Sequence, residues 1–251
     1  TIPAYRNDVT READVIEEIL RVYGYNKIKF TQKLNASISG KLPIEDYEVR
    51  NKVGDQLAAL GFNEMLNNSL TTQKYLSLSE SLETEHSIEM LNPLSNDLAV
   101  MRQSMLFSAL EVAAYNSNRK MPDLKLFEFG KTYHNYPSGR EEHKHLSLLV
   151  TGKKATESWN STSETSGFFY MKGIVAALLE QLGITNTKEG ILKSDFFAEG
   201  ISISSKKTPL VELGVLKKKL TKAFGMDTEM VYADFKWDAV LEALSQRSFA
   251  L

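Results

Sequence analysis

Residues 101–130 read MRQSMLFSALEVAAYNSNRKMPDLKLFEFG, and the change of period inside this stretch decides the fold class. Met105, Leu106, Leu110, Val112 and Ala113 recur at helical spacing, which predicts a helix over about 103–117. Leu124-Lys125-Leu126-Phe127-Glu128-Phe129-Gly130 then reads as a strand, and His145-Leu146-Ser147-Leu148-Leu149-Val150 as a second. Toward the N-terminus, Pro43 suits a first helical turn, and Ile44, Tyr47, Val53, Leu57 and Leu60 predict a helix over about 43–60 that stops at Gly61. Strands are expected at 64–70 and 87–91, with a short helix near 72–78 between them. Toward the C-terminus, FFYMKGIVAALLEQL at 168–182 predicts a helix ended by Gly183. Strands near 200–204, 209–216 and 229–235 alternate with short helices. The polar run 155–166 (ATESWNSTSETS) is expected to be an exposed loop. Grouped strands with interspersed helices predict an α+β domain, a mainly antiparallel sheet flanked by helices.

Composition bounds the function. The chain has 251 residues, 42% hydrophobic and 25% charged, enough to bury a full core. It has no cysteine, which excludes disulfides and thiolate metal sites and is compatible with a reducing compartment. No run approaches the roughly 20 apolar residues that span a bilayer, so a soluble, cytoplasmic protein without membrane partners is expected. The first residue is Thr1 and a motif follows almost at once, which suggests a piece of a longer polypeptide. With 30 basic and 32 acidic side chains the net charge is −2, so no overall field draws the chain onto nucleic acid. No DNA contact is predicted, and any RNA contact must be local.

The sharpest chemical signal is acidic. Asp14, Glu17 and Glu18 have i, i+3 and i+4 spacing on an expected helix that Thr10 can cap and Gly24 can stop, and Asp8 precedes that helix. Val15, Ile16, Ile19, Leu20 and Val22 would form its apolar stripe. Such an oxygen cluster suits a hard cation like Mg²⁺, although acids in a first turn also offset the helix dipole without any ligand. The surroundings read Pro3-Ala4-Tyr5-Arg6-Asn7-Asp8, Glu12-Ala13-Asp14-Val15-Ile16-Glu17-Glu18-Ile19 and Arg21-Val22-Tyr23-Gly24-Tyr25. This resembles the end of the B5 domain in the beta subunit of bacterial phenylalanyl-tRNA synthetase. The resemblance implies that Asp8, Asp14, Glu17 and Glu18 bind Mg²⁺ at the boundary with the alpha subunit. Asn7 departs from the family, where an aromatic residue is common.

Further blocks resemble the catalytic-like core of the same subunit: Asn92-Pro93-Leu94-Ser95, Met101-Arg102-Gln103-Ser104-Met105-Leu106, Asn116, Leu126-Phe127-Glu128-Phe129-Gly130, and Phe168 to Leu182 with Met171-Lys172-Gly173 in register. The resemblance implies a class II synthetase-like sheet, with residues 1–35 as the C-terminal part of B5 and 36–251 as the core. The polar, aperiodic segment 31–42 is the expected linker.

The sequence also refuses chemistry. No two glycines are separated by a single residue, which removes the Gly-rich third motif with which class II relatives hold ATP, and the dinucleotide fingerprint as well. No pair is five apart as a phosphate-cradling P-loop needs, nor four apart as a nucleophile elbow needs. No two histidines are four apart, which excludes the H-E-x-x-H zinc motif. His143 and His145 share a strand face where a metal would have Glu141 or Glu142 nearby, but solvated polar residues at a strand entrance are the preferred reading. Arg102 could clamp a carboxylate or phosphate, or pair with an acid of the inner sheet; the missing ATP motif favours the pair. Lys217, Lys218, Lys219 and Lys222 read as a solvated face before an RNA contact, and Phe168, Phe169 and Tyr170 as core before a stacking platform.

No catalytic residue and no cofactor beyond Mg²⁺ is therefore assigned. The resemblance implies a subunit of phenylalanine-tRNA ligase, which joins phenylalanine to its tRNA at the expense of ATP. This piece would be an inactive scaffold for assembly with the alpha subunit in an (αβ)₂ heterotetramer and for positioning tRNA(Phe). The alternative is a free-standing synthetase-like interaction module outside aminoacylation.

Overall fold

A computed structural model describes residues 2–29, 45–155, 158–160, 162 and 164–245. The chain divides into two compact units, Thr1–Leu42 and Pro43–Leu251. The expected linker 31–42, the 35/36 boundary and the Pro43 helix start lie outside the described residues.

Among the described residues, the first unit contains one α-helix, α1 (Glu12–Tyr23). Its N-cap is Arg11 and not Thr10: the Asp14 carboxylate turns back to accept hydrogen bonds from the Thr10 and Arg11 amides at 3.0 and 2.8 Å, so the acid satisfies donors that the Thr10 hydroxyl was expected to meet. Gly24 ends the helix at φ +95°, a conformation open to glycine. No residue of α1 is buried, and Ile16, Ile19 and Val22 of the apolar stripe are exposed.

The second unit begins with α2 (Asp46–Ala59), whose Val49, Val53 and Leu57 are buried. The expected strand 64–70 splits into β1 (Asn63–Glu64) and β2 (Leu70–Thr71). The Asn67 side chain turns inward, and Asn68 Oδ1 accepts from the Leu70 amide at 2.9 Å, a local turn that competes with extension. A 3-10 helix covers Gln73–Leu78, near the expected short helix. The expected strand 87–91 is reduced to a single bridge, Glu89 to Val100, beside β3 (Val100–Met101). Its partner run is cut short because the next residue, Arg102, donates its amide to Ser69 O and leads into the core.

The remaining elements are α3 (Leu106–Ser117), β4 (Leu124–Tyr136), β5 (Gly139–Thr151), α4 (Phe168–Gln181), β6 (Thr187–Ile191), β7 (Phe197–Ser205), β8 (Thr208–Leu216), α5 (Lys218–Ala223), β9 (Met230–Lys236) and α6 (Trp237–Ser245). The seven-stranded sheet has the order β1-β4-β5-β9-β8-β7-β6, antiparallel except where β1 joins β4. Strands β4 and β5 run well past their apolar halves into the polar hairpin Lys131–Lys144, because each residue there keeps its ladder partner.

Period-2 alternation sorts the side chains. Phe127, Leu146, Leu148, Ala233, Phe235 and Leu213 face α2, α4 and α6, while Leu126, Leu149 and Tyr232 face α3 and α5. Fully burying each such side chain contributes about 1.5–3 kcal/mol, so both faces are needed to hold the sheet. Of the three aromatics expected in the core, Phe168 and Tyr170 pack against it, but Phe169 is 83% exposed. The reason is helical phase: Phe169 sits on the solvent side of α4, whose buried positions are Met171, Ile174, Val175, Leu178 and Leu179.

Candidate functional site

One row of the sheet carries unusual chemistry. Glu128 on β4, Ser147 on β5, Asp234 on β9 and Glu212 on β8 are successive partners across four strands, all pointing to the face that α3 covers. Each acid has its own basic partner. Arg102 Nη1 donates to Glu128 Oε1 at 2.9 Å, His145 Nδ1 meets Asp234 Oδ1 at 2.8 Å, and Lys236 Nζ lies 2.8 Å from Glu212 Oε1.

The Arg102–Glu128 pair is buried, 4% and 2% exposed. Its remaining valences are also met: Arg102 Nε donates to Lys131 O at 2.9 Å, and Asn67 donates from Nδ2 to Glu128 Oε2 at 2.7 Å. A buried pair is tolerated only when so completed, since a stranded charge in the interior is costly. Gly130 makes the arrangement possible, because a methyl group there would overlap Arg102 Nη2 and Met105 Cε. The structural reading of Arg102, paired with an acid of the inner sheet, is thus what the structure has.

His143 and His145 do share the face expected, and Thr132 and His134 join them from β4. Thr132 Oγ1 stands between His145 Nε2, 3.0 Å away, and His134 Nε2, at 3.3 Å. Burial opposes charge on His145, but Asp234 outweighs it and holds the imidazole pKa above its ordinary value. His134 goes the other way: burial, with His143, His145 and His86 nearby, lowers its pKa to about 4. Sequence reasoning missed Asp234, whose only signal was an acid inside the apolar strand MVYADFK. Lys218, Lys219 and Lys222 are exposed on α5, with Lys222 3.9 Å from Asp227, as expected of a solvated face, while Lys217 just before the helix is half-buried.

The acidic cluster of the first unit is distributed. Arg6 holds Asp8 through Nε and Nη2 at 3.1 and 3.0 Å and reaches Glu18 at 2.8 Å, so two of the four predicted ligands meet at one guanidinium. The Arg6 hydrogen bond keeps the Asp8 carboxyl below its usual range, and the Arg11 and Thr10 amides do the same for Asp14. Glu17 pairs with Arg21 at 3.3 Å. The donors are all hard oxygens, the chemistry Mg²⁺ takes, but among the described residues no three acidic or histidine side chains converge as a metal site.

Two family profiles match the chain, the tRNA synthetase B5 domain over residues 1–25 and the phenylalanyl tRNA synthetase beta chain CLM domain over residues 31–237. The chain belongs to the phenylalanyl-tRNA synthetase beta chain family. It is 42% identical to the phenylalanine–tRNA ligase beta subunit of Bacteroides thetaiotaomicron, over 97% of this chain and 31% of that protein. It is 35% identical to the beta subunit of Porphyromonas gingivalis, over 96% and 31%. The chain therefore spans about a third of the length of these curated relatives. Among solved structures, a pyrrolysyl tRNA synthetase of Desulfitobacterium hafniense superposes with a TM-score of 0.62 at 14% identity, covering 78% of this chain and 65% of that one. The beta chain family member described here thus has the class II synthetase fold, as its sequence implied. Among the described residues, no helix is long and apolar enough to cross a membrane.

Proposed function

We propose that this chain is the scaffold portion of a phenylalanine–tRNA ligase beta subunit: a cytoplasmic, non-catalytic core that docks the alpha subunit in an (αβ)₂ assembly and helps position tRNA(Phe). The observation that carries the reading is the closed state of the sheet face. Its acids Glu128, Asp234 and Glu212 are paired with Arg102, His145 and Lys236 respectively, and the innermost pair is sealed from solvent. A face filled in this way offers structure to a partner, and the ATP-dependent step is assigned to that partner.

Mg²⁺ belongs to the same proposal. Asp8, Asp14, Glu17 and Glu18 would hold it, and its charge would relieve repulsion between acidic surfaces at the subunit boundary. Arg6 and Arg21 compete for the same oxygens in the chain by itself.

Co-expression with a phenylalanyl-tRNA synthetase alpha subunit tests the reading. A stable complex on analytical ultracentrifugation is expected, weakened when Asp14→Ala and Glu17→Ala are combined. A complex indifferent to that double substitution would remove the acidic cluster from the interface. No complex at all would favour the free-standing interaction module.

A further inference from the structure

Arg102, the sequence's candidate clamp for an anion, is committed to Glu128, and a different arginine keeps its donors open. The Arg50 side chain, on α2, forms no hydrogen bond or ion pair among the described residues, although it lies close enough to Asp46 to help lower that carboxyl's pKa. Its guanidinium rests 5.1 Å over the Phe129 ring. Stacking fixes the plane of the group and leaves its in-plane N–H fork available.

We propose that the cavity between the start of α2 and the distal half of β4 binds a small oxyanion, with Arg50 as its clamp. The cavity measures about 250 Å³ and reaches inward to Trp237 and His145. Four cations line it, Arg50, Arg102, Lys131 and Lys144, against two carboxylates, Asp46 and Glu128. Local pairing takes up three of the four cations, Arg102 with Glu128, Lys144 with Asp46 and Lys131 with Glu142 just outside the lining, which leaves Arg50 as the lining cation with no ion-pair partner among the described residues. Lys144 is pinned 2.7 Å from Asp46, and Trp237 Nε1 donates to the other oxygen of that carboxylate at 2.8 Å. Both Asp46 oxygens are thus engaged by Lys144 and Trp237, while the Arg50 guanidinium lines the cavity with no hydrogen-bond partner among the described residues. A planar fork beside fixed ammonium groups is the arrangement that recognises phosphate or carboxylate oxygens. The inference does not depend on the scaffold reading above.

Trp237 supplies the readout. The chain has two tryptophans, and Trp159 is 97% exposed, so in a Trp159→Phe background fluorescence reports the cavity. Titration with inorganic phosphate, pyrophosphate and glutarate at constant ionic strength should give a saturable change with at least one of them. Arg50→Met should weaken it about tenfold or more, the loss of charge-assisted hydrogen bonds, with Arg50→Lys in between. Tighter response to phosphates indicates a phosphorylated ligand, and tighter response to glutarate a carboxylate such as a partner's acidic side chain; both uphold the site. Absence of saturation with all three, or saturation untouched in an Arg50→Met chain whose near-ultraviolet circular dichroism is unchanged, would overturn it.

Discussion

Glu128 is the most deeply buried acid of the sheet, 1% exposed. It is the buried acid that Arg102 and Asn67 complete, and it shares its face with Gly130, which must lack a side chain for Arg102 to fit. Removing one partner leaves an uncompensated charge, so Glu128→Ala should cost about 3–5 kcal/mol. Replacing both, Arg102→Met with Glu128→Met, should recover much of that loss, because an apolar pair needs no hydrogen bonds. Urea unfolding of the three proteins checks this, and a double variant no better than the single would place the cost in packing instead. The pairing of Arg102 was legible in outline, since a lone arginine without an ATP motif needs an acid. Its identity was not, because only the folded chain brings Glu128 of β4 to Arg102. The roles of Asp8, Asp14, Glu17 and Glu18 rest on resemblance to the family: spacing puts Asp14, Glu17 and Glu18 on one helix face with Asp8 ahead of it, while the Arg6 contacts to Asp8 and Glu18 are visible only in three dimensions.

At the scale of elements, the hairpin β4–β5 departs furthest from expectation. Its apolar halves announced themselves by period, but its polar half carries His134, His143 and His145 and joins the ladder all the same. All four histidines of the chain gather here, His86 packing its ring 4.8 Å from Tyr136. The two shifted histidines act oppositely on stability. His134, depressed to about 4, is neutral in both folded and unfolded chains above pH 6.5. As pH falls toward 4 the unfolded chain takes up the proton first, and stability is lost across that window. His145, whose pKa is raised, contributes below pH 6.5, and that contribution fades as pH climbs through its folded pKa. The carboxyls of Asp46 and Asp195, held low, matter only below their ordinary value of 3.8. The urea midpoint should therefore fall between pH 6.5 and 4, and His134→Gln should flatten that fall. An identical slope in the variant would assign the loss to other groups.

Across the whole molecule, the two units differ in what holds them. The second buries both faces of a seven-stranded sheet, whereas the first contains a 12-residue helix with no buried residue. An isolated helix of that length is marginal in water, so in the chain alone the amides of Glu12–Tyr23 should exchange with solvent far faster than those of β5 and β9. Hydrogen exchange read by mass spectrometry decides this; equal protection would show that α1 has found a partner surface. By itself the sequence determined the α+β class, the helices at α2, α3 and α4, the apolar strands and the absence of nucleotide motifs, because each follows from local period or from residues that are simply not there. Only the tertiary structure decided which acid meets Arg102, that Asp234 lies beside His145, that Phe169 faces solvent and that Arg50 is left open. Those outcomes depend on strand register and helix phase, through which residues far apart in the chain become neighbours, and no local pattern encodes them.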